Sequence, residues 1–166
     1  VKQSGQAEAL LMGWTKHGTD VLKHLGGTYA LAIVDASAGC VLLAVDRFSV
    51  QTLCYCLDGD TLSFSDRADC VAGRGQEIDP QALFDFLYFH MIPAPRTIFS
   101  KVRRLPAAHA LLIDANGVKE FRHWPLEFDE RHREPFAVAK DTFRSLIRES
   151  VAEQIAGHTQ IGAFLS

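Results

Sequence analysis

The segment Ile78–Leu112, IDPQALFDFLYFHMIPAPRTIFSKVRRLPAAHALL, restricts the fold of this chain more than any other. Asp79 suits an N-cap, and Pro80 suits the first helical position, where the missing amide would have had no partner anyway. Leu83, Phe84, Leu87 and Tyr88 recur at helical spacing and predict one apolar face. The helix must stop before Pro93, because a proline disfavours helical dihedrals in the residue before it. Pro93 and Pro95 together predict a stiff extended arm over Ile92–Arg96. On local features alone this is an ordinary helix and loop, followed by a basic stretch that leads into a strand.

At 166 residues, 48% apolar and net charge −3, the chain can bury one core or two small ones. A pI near 6.2 and scattered Lys and Arg give no basic face for nucleic acid, and Lys101, Arg103 and Arg104 read as a short solvated or paired cluster. No run of 18 or more apolar residues is present, so no membrane span is expected. The start, Val1-Lys2-Gln3-Ser4, does not look like a signal peptide and lacks Met, so the beginning is expected to be missing. Cys40, Cys54, Cys56 and Cys70 lie in apolar or strand-like surroundings. Cys54 and Cys56 share one strand face, a poor geometry for a mutual disulfide, and the seven His form no cluster with metal-ligand spacing. Buried reduced thiols in a cytoplasmic protein are the expectation.

Ala7–Lys23 reads as helix with a break at His17-Gly18, and Ala9, Leu10, Trp14, Val21 and Leu22 are its packing candidates. The apolar runs Thr28–Asp35 and Cys40–Val45 predict two interior strands covered on both faces, joined by a turn at Asp35–Gly39. Gln51–Leu57 and Thr61–Ser65 flank Asp58-Gly59, a two-residue hairpin signal. Asp66–Ala72 suits a short helix, and Gly73–Gln76 a linker, with a domain boundary near residue 75. His109–Asp114 and Val118–Trp124 form a second hairpin around Asn116-Gly117. The charged stretch Glu127–Glu134 reads as a solvated loop. Pro135 opens a long helix ending at Gly157, whose Phe136, Phe143, Leu146, Ile147, Val151 and Ile155 are expected to pack in a core. Ile161–Leu165 is a short apolar strand. Asp35 and the Asp46-Arg47 pair read as charges bracing strand ends, the ion pair being the commoner outcome for such a pair.

The order of these words carries more than the words themselves. Ile92-Pro93-Ala94-Pro95-Arg96-Thr97-Ile98-Phe99, then Leu105-Pro106-Ala107-Ala108-His109, resembles the "IPAPRTIF…LPPGH" entry to the synthetase domain of glutamine-dependent asparagine synthetases, with Ala107-Ala108 in place of Pro-Gly. Ile161-Gly162-Ala163-Phe164-Leu165-Ser166 resembles the "vGvfLS" strand that leads into the pyrophosphate loop of N-type ATP pyrophosphatases, a strand-to-helix turn that offers amides and hydroxyls to an anion. By that resemblance Phe164 lies by the ATP base and Ser166 by the phosphates.

The first half resembles the class II glutamine amidotransferase (glutaminase) domain of the same enzymes, through Glu8, Leu10-Leu11, Leu25, Gly27, Tyr29–Ala32, Asp35, Ala44, Asp46-Arg47-Phe48, Leu53, Tyr55 and Phe64. Departures are visible. Gln6 stands where the family has the acidic residue that holds the glutamine amino group, which counts against glutamine binding. Val45 replaces an Arg; Ser49, Gln51 and Thr52 replace Gly, Lys and Pro; Asp66-Arg67 stand in place of Ser-Glu. The family's nucleophile is an amino-terminal Cys with its own α-amine as base, and none of the four cysteines is amino-terminal.

The resemblance implies an α+β and α/β chain: residues 1–75 as the later part of an N-terminal-nucleophile hydrolase (αββα sandwich), and residues 76–166 as linker arm, hairpin, entry helices and first strand of an ATP pyrophosphatase domain. It implies a parent enzyme, cytoplasmic and homodimeric, that uses ATP and Mg2+ to adenylate aspartate or another carboxylate, and glutamine as ammonia source. A sibling of the β-lactam synthetase or macrolactam cyclase type, closing the acyl-adenylate with an internal amine, is the alternative that Gln6 favours. A free-standing binding module is the third, with no nucleic acid or membrane partner.

Overall fold

The computed structural model describes residues 3–129 and 134–163, which fall into two compact units, Val1–Pro125 and Leu126–Ser166. The first unit opens with helix α1 (Gln3–His17), which passes into a 3-10 helix (Gly18–His24) at the expected break, where Gly18 takes a φ of 55°. Strands β1 (Ala30–Asp35), β2 (Cys40–Val45), β3 (Cys54–Asp58) and β4 (Thr61–Ser65) follow, then α2 (Ala68–Ala72), α3 (Pro80–Phe89), β5 (Arg103–Arg104), β6 (His109–Asp114) and β7 (Gly117–Arg122). They build two antiparallel sheets, ordered β1-β2-β6-β7 and β4-β3-β5. The linker stretch Gly73–Gln76 lies inside this unit, and the β2–β6 pairing spans it.

Strand alternation explains the layering. On β2, Leu42 and Ala44 face Val21, Leu22, Ile33 and Ala110, the core under α1 and the 3-10 helix. Leu43 and Val45 point the other way, onto Leu53, Tyr55, Leu105 and Leu111, the core between the sheets. On β3, Tyr55 serves that inner core while Cys54 and Cys56 face Ala72 of α2 and Val102. The result is helix, sheet, sheet, helix. Helices and antiparallel sheets segregate, as in α+β proteins.

Several expectations need correction. β1 is an edge strand, covered on one face only: Ile33 is buried while Val34 is 66% exposed, because the three-stranded sheet does not extend over it. The first hairpin turns on Gly59-Asp60 rather than Asp58-Gly59, with Asp58 paired to Thr61. α3 has the expected cap, the Asp79 side chain accepting from the Gln81 amide at 2.9 Å, and stops at His90. Its Leu83, Phe84, Leu87 and Tyr88 are nonetheless exposed, and its buried residues are Ala82 and Asp85. The arm is a tight turn and not an extended segment. The Ala94–Pro95 peptide is cis and the Arg96 amide donates to the Pro93 carbonyl at 3.1 Å. Only Cys54 and Cys56 are buried thiols; Cys40 is half-buried and Cys70 exposed, all four being free.

The second unit holds α4 (Phe136–Ile155), begun by the Pro135 carbonyl accepting from Val138 and Ala139 at 2.9 and 3.1 Å. Every residue of α4 is exposed, including the apolar face expected in a core. The charged stretch after Glu127 falls partly outside the described residues. Ile161–Ala163 carries no strand, and the remainder of that expected strand, Phe164 to Ser166, lies outside the described residues.

Candidate functional site

The most highly organised point of the chain is Asp46, at the end of β2 and 1% exposed. One carboxylate oxygen accepts from the amides of Phe48 (3.0 Å) and Val50 (3.1 Å), the other from those of Gln51 (3.0 Å) and Tyr29 (3.2 Å). Its carbonyl accepts from Ser49 at 3.1 Å and Ala108 at 3.0 Å, and its amide donates to Tyr29 at 2.9 Å. Burial pushes the carboxyl up, but the amides of Gln51, Val50, Phe48 and Tyr29 outweigh it and hold the group below the usual range. The expected Asp46–Arg47 ion pair is therefore not what braces this strand end. Arg47 lies over the Trp124 ring at 5.2 Å, and Phe48 meets the same ring edge-on at 5.8 Å. Trp124 was not singled out by its sequence context. The signal for Asp46 was a lone Asp ahead of a short loop, a pattern in which the carboxylate can reach several following amides.

Two residues at this point stand where the resemblance has glycine, and both adopt left-handed backbone. Ser49 has φ 52° and Ala108 φ 61°. Only glycine occupies that region without steric cost. Both positions thus hold the backbone conformation that glycine favours without a glycine.

Asp35 acts similarly at the other end of the sheet. It accepts from the Ser37 hydroxyl (2.6 Å), the Trp14 indole (2.9 Å) and the amides of Ala38 (2.9 Å) and Ser37 (3.0 Å), which holds its carboxyl at about 2. Trp14 thereby ties α1 to the β1–β2 turn.

Gln6 is exposed on α1, at the rim of a cavity of about 590 Å³ that also involves Leu10, His17, Val21, His24 and Tyr29. An amide here can accept or donate a hydrogen bond but offers no charge to an ammonium group. A second cavity, of about 580 Å³, lies beside the arm and is lined by Asp58, Asp79, Arg96, Ser100, Lys101 and Arg103 among others. There Arg96 sits between the carboxylates of Asp79 (3.6 Å) and Asp85 (3.9 Å), and the buried Thr97 hydroxyl donates to the Val102 carbonyl at 2.7 Å. The arm is thus fastened to α3 through its own motif residues. Burial raises the thiols of Cys40 and Cys54, in Cys54 against the opposing pull of Arg104, so neither is set up as a thiolate nucleophile. Phe164 and Ser166, assigned to ATP by resemblance, lie outside the described residues.

Residues 1–124 match the glutamine amidotransferase domain family. The chain belongs to that family. Among its relatives, asparagine synthetase [glutamine-hydrolyzing] 3 of Bacillus subtilis is 25% identical over 169 residues, covering 99% of this chain and 27% of that protein. A putative asparagine synthetase [glutamine-hydrolyzing] of Mycobacterium tuberculosis is 27% identical, covering 98% of this chain and 26% of its own length. A putative asparagine synthetase [glutamine-hydrolyzing] 2 of Methanocaldococcus jannaschii is 23% identical, with 96% and 32% covered. The amidotransferase-family chain thus spans about a quarter to a third of the relatives it matches.

Proposed function

We propose that this chain is the later part of a glutaminase domain joined to the approach to a synthetase domain, within an asparagine-synthetase-type enzyme that forms an amide on a carboxylate with ATP and ammonia from glutamine. One observation carries the reading. The family match ends at residue 124, yet the likeness to asparagine synthetases runs on to cover 96–99% of the chain. The helix–sheet–sheet–helix layering supports an N-terminal-nucleophile hydrolase core, and the fastened arm supports a junction between two catalytic parts. The contribution of the described residues is scaffolding: Asp46 and Asp35 lock the strand ends, and Arg96 locks the arm to α3.

The nucleophile, by resemblance an amino-terminal Cys, is none of the four cysteines here. ATP and Mg2+, with aspartate or another carboxylate, belong to the proposal for the longer, cytoplasmic and homodimeric enzyme, and their chemistry there rests on residues other than those described. No helix among the described residues is long and apolar enough to cross a membrane. The exposed Gln6 favours a second reading, in which glutamine hydrolysis has been lost and an internal amine closes the acyl-adenylate. Carboxylate-dependent ATP–pyrophosphate exchange and glutamine hydrolysis, both measured on the enzyme encoded by the complete reading frame, decide. Both activities support the first reading, exchange alone supports the second, and absence of exchange with every carboxylate tried overturns both.

A further inference from the structure

We propose that residues 122–124 form a releasable strap: closed, it pins the Asp46 turn, and a change in the path of the chain at Pro125 opens it and frees that turn together with the Tyr29 wall of the cavity beneath α1. The strap leaves the end of β7, an edge strand, and reaches past β6 to β2. The His123 amide donates to the Ala108 carbonyl at 2.9 Å, and His123 Nε2 donates to the Val45 carbonyl at 2.9 Å. The Ala108 amide in turn donates to the Asp46 carbonyl at 3.0 Å, so three segments distant in sequence close on one point. The Trp124 ring packs against Arg47 at 5.2 Å and Phe48 at 5.8 Å, while Arg122 Nε donates to the Trp124 carbonyl at 3.1 Å. Pro125 is the last residue of the first unit, so the strap is its final fastening.

Closure leaves opposing costs in place. Of the three non-glycine residues with left-handed backbone among those described, Ser49 and Ala108 lie in the two segments that the strap fastens. Of the three buried side-chain polar atoms without a hydrogen-bond partner among the described residues, two are Tyr29 Oη and His123 Nδ1, on rings stacked 6.5 Å apart. With Nε2–H given to Val45, Nδ1 of the neutral ring is a bare acceptor, and the Tyr29 hydroxyl is a donor that does not meet it. Strained backbone and unsatisfied buried groups cluster at clamps and switch regions. Opening hydrates both orphaned atoms and gives up hydrogen bonds that water replaces, so the strap opens more readily than the core beneath it, where Leu43 and Leu111 are buried. Tyr29 also lines the cavity at whose rim Gln6 stands, which carries the movement to that cavity.

The test is residue-resolved amide hydrogen exchange of the purified protein under native conditions, read at Phe48, Val50 and Gln51 against Leu43 and Leu111 as core controls. His123→Ala is expected to lower protection at the three turn amides about tenfold, and Pro125→Gly, which loosens the exit without removing a strap contact, about threefold. Tyr29→Phe deletes an orphaned hydroxyl that only the open form hydrates, so it should raise the same protection about threefold. The core amides are expected to stay unchanged in the last two variants, and those two decide the matter should His123→Ala loosen the core as well. Turn amides that exchange only together with Leu43 and Leu111, that ignore Pro125→Gly, or that lose protection in Tyr29→Phe overturn the proposal. These readouts involve neither glutamine nor ATP, so they are independent of the functional reading above.

Discussion

β2 is apolar at every position and α4 along one face, and the two are opposite in fate. β2 hands alternate residues to two cores, so Leu42, Leu43, Ala44 and Val45 are all buried. α4 carries an apolar face at regular helical spacing and buries none of it. A run of apolar residues states a requirement for cover; the cover itself comes from whatever the topology brings alongside. α3 falls between the two, with only Ala82 and Asp85 buried and Tyr88 70% exposed.

The contrast is broken most forcefully in the inner core. Leu43→Ala, at a fully buried position, is expected to cost about 3 kcal/mol in urea unfolding, whereas Leu146→Ala, at a position 58% exposed on α4, should stay within about 0.5 kcal/mol. Equal losses at the two sites would show that α4 is covered as firmly as β2.

Next in size is the strand end. Asp46→Ala leaves four amides without their acceptor, and a loss of about 3 kcal/mol is expected, with faster hydrogen exchange at Phe48, Val50 and Gln51 as its local signature. The pH dependence follows from the same bonds. Asp46 and Asp35 titrate lower in the folded chain than in the unfolded one, so their ionised forms favour folding fully above about pH 4. That contribution fades as the pH falls through the folded values, which for Asp35 is about 2. Stability measured from pH 5 down to pH 2 should therefore decline, and less steeply in Asp35→Asn; an unchanged slope removes Asp35 from the account.

A smaller effect has the opposite sign. Ser49→Gly relieves a left-handed serine at an exposed loop and should stabilise by about 0.5–1 kcal/mol, after the greater chain entropy of glycine in the unfolded state is subtracted. Ala108→Gly relieves the same strain but also removes a buried methyl, so its gain should be the lesser of the two. Smallest of all, Arg96→Gln breaks two long, half-exposed ion pairs with Asp79 and Asp85 and is expected to change stability by less than about 1 kcal/mol.

Local chemistry made part of this readable in advance. The Asp79-Pro80 cap, the break at Gly18 and the short helix before Gly73 depend on a few adjacent residues and were legible; so were both hairpins, although each turn falls one residue from its expected place, on Gly59-Asp60 and on Ala115-Asn116. The arm was misjudged because two prolines restrict φ without specifying the direction of the turn, which the Arg96–Pro93 hydrogen bond and the contacts of Thr97 settle. β1 was misjudged because the second sheet stops short of it. Of the candidate site, Gln6 was visible as a departure from a resemblance, but its place on the rim of a cavity with His17 and His24 was not.

Composition and order of residues alone determined that most of these helices and strands exist, roughly where they lie, and which family the chain resembles. These depend on backbone dihedrals, caps and spacing, all local properties. Only the tertiary structure decided that Asp46 gathers six backbone amides instead of pairing with Arg47, and that β2 is buried twice and α4 not at all. Such outcomes depend on which distant segments come within a few ångströms, and nothing in a residue's own neighbourhood encodes that.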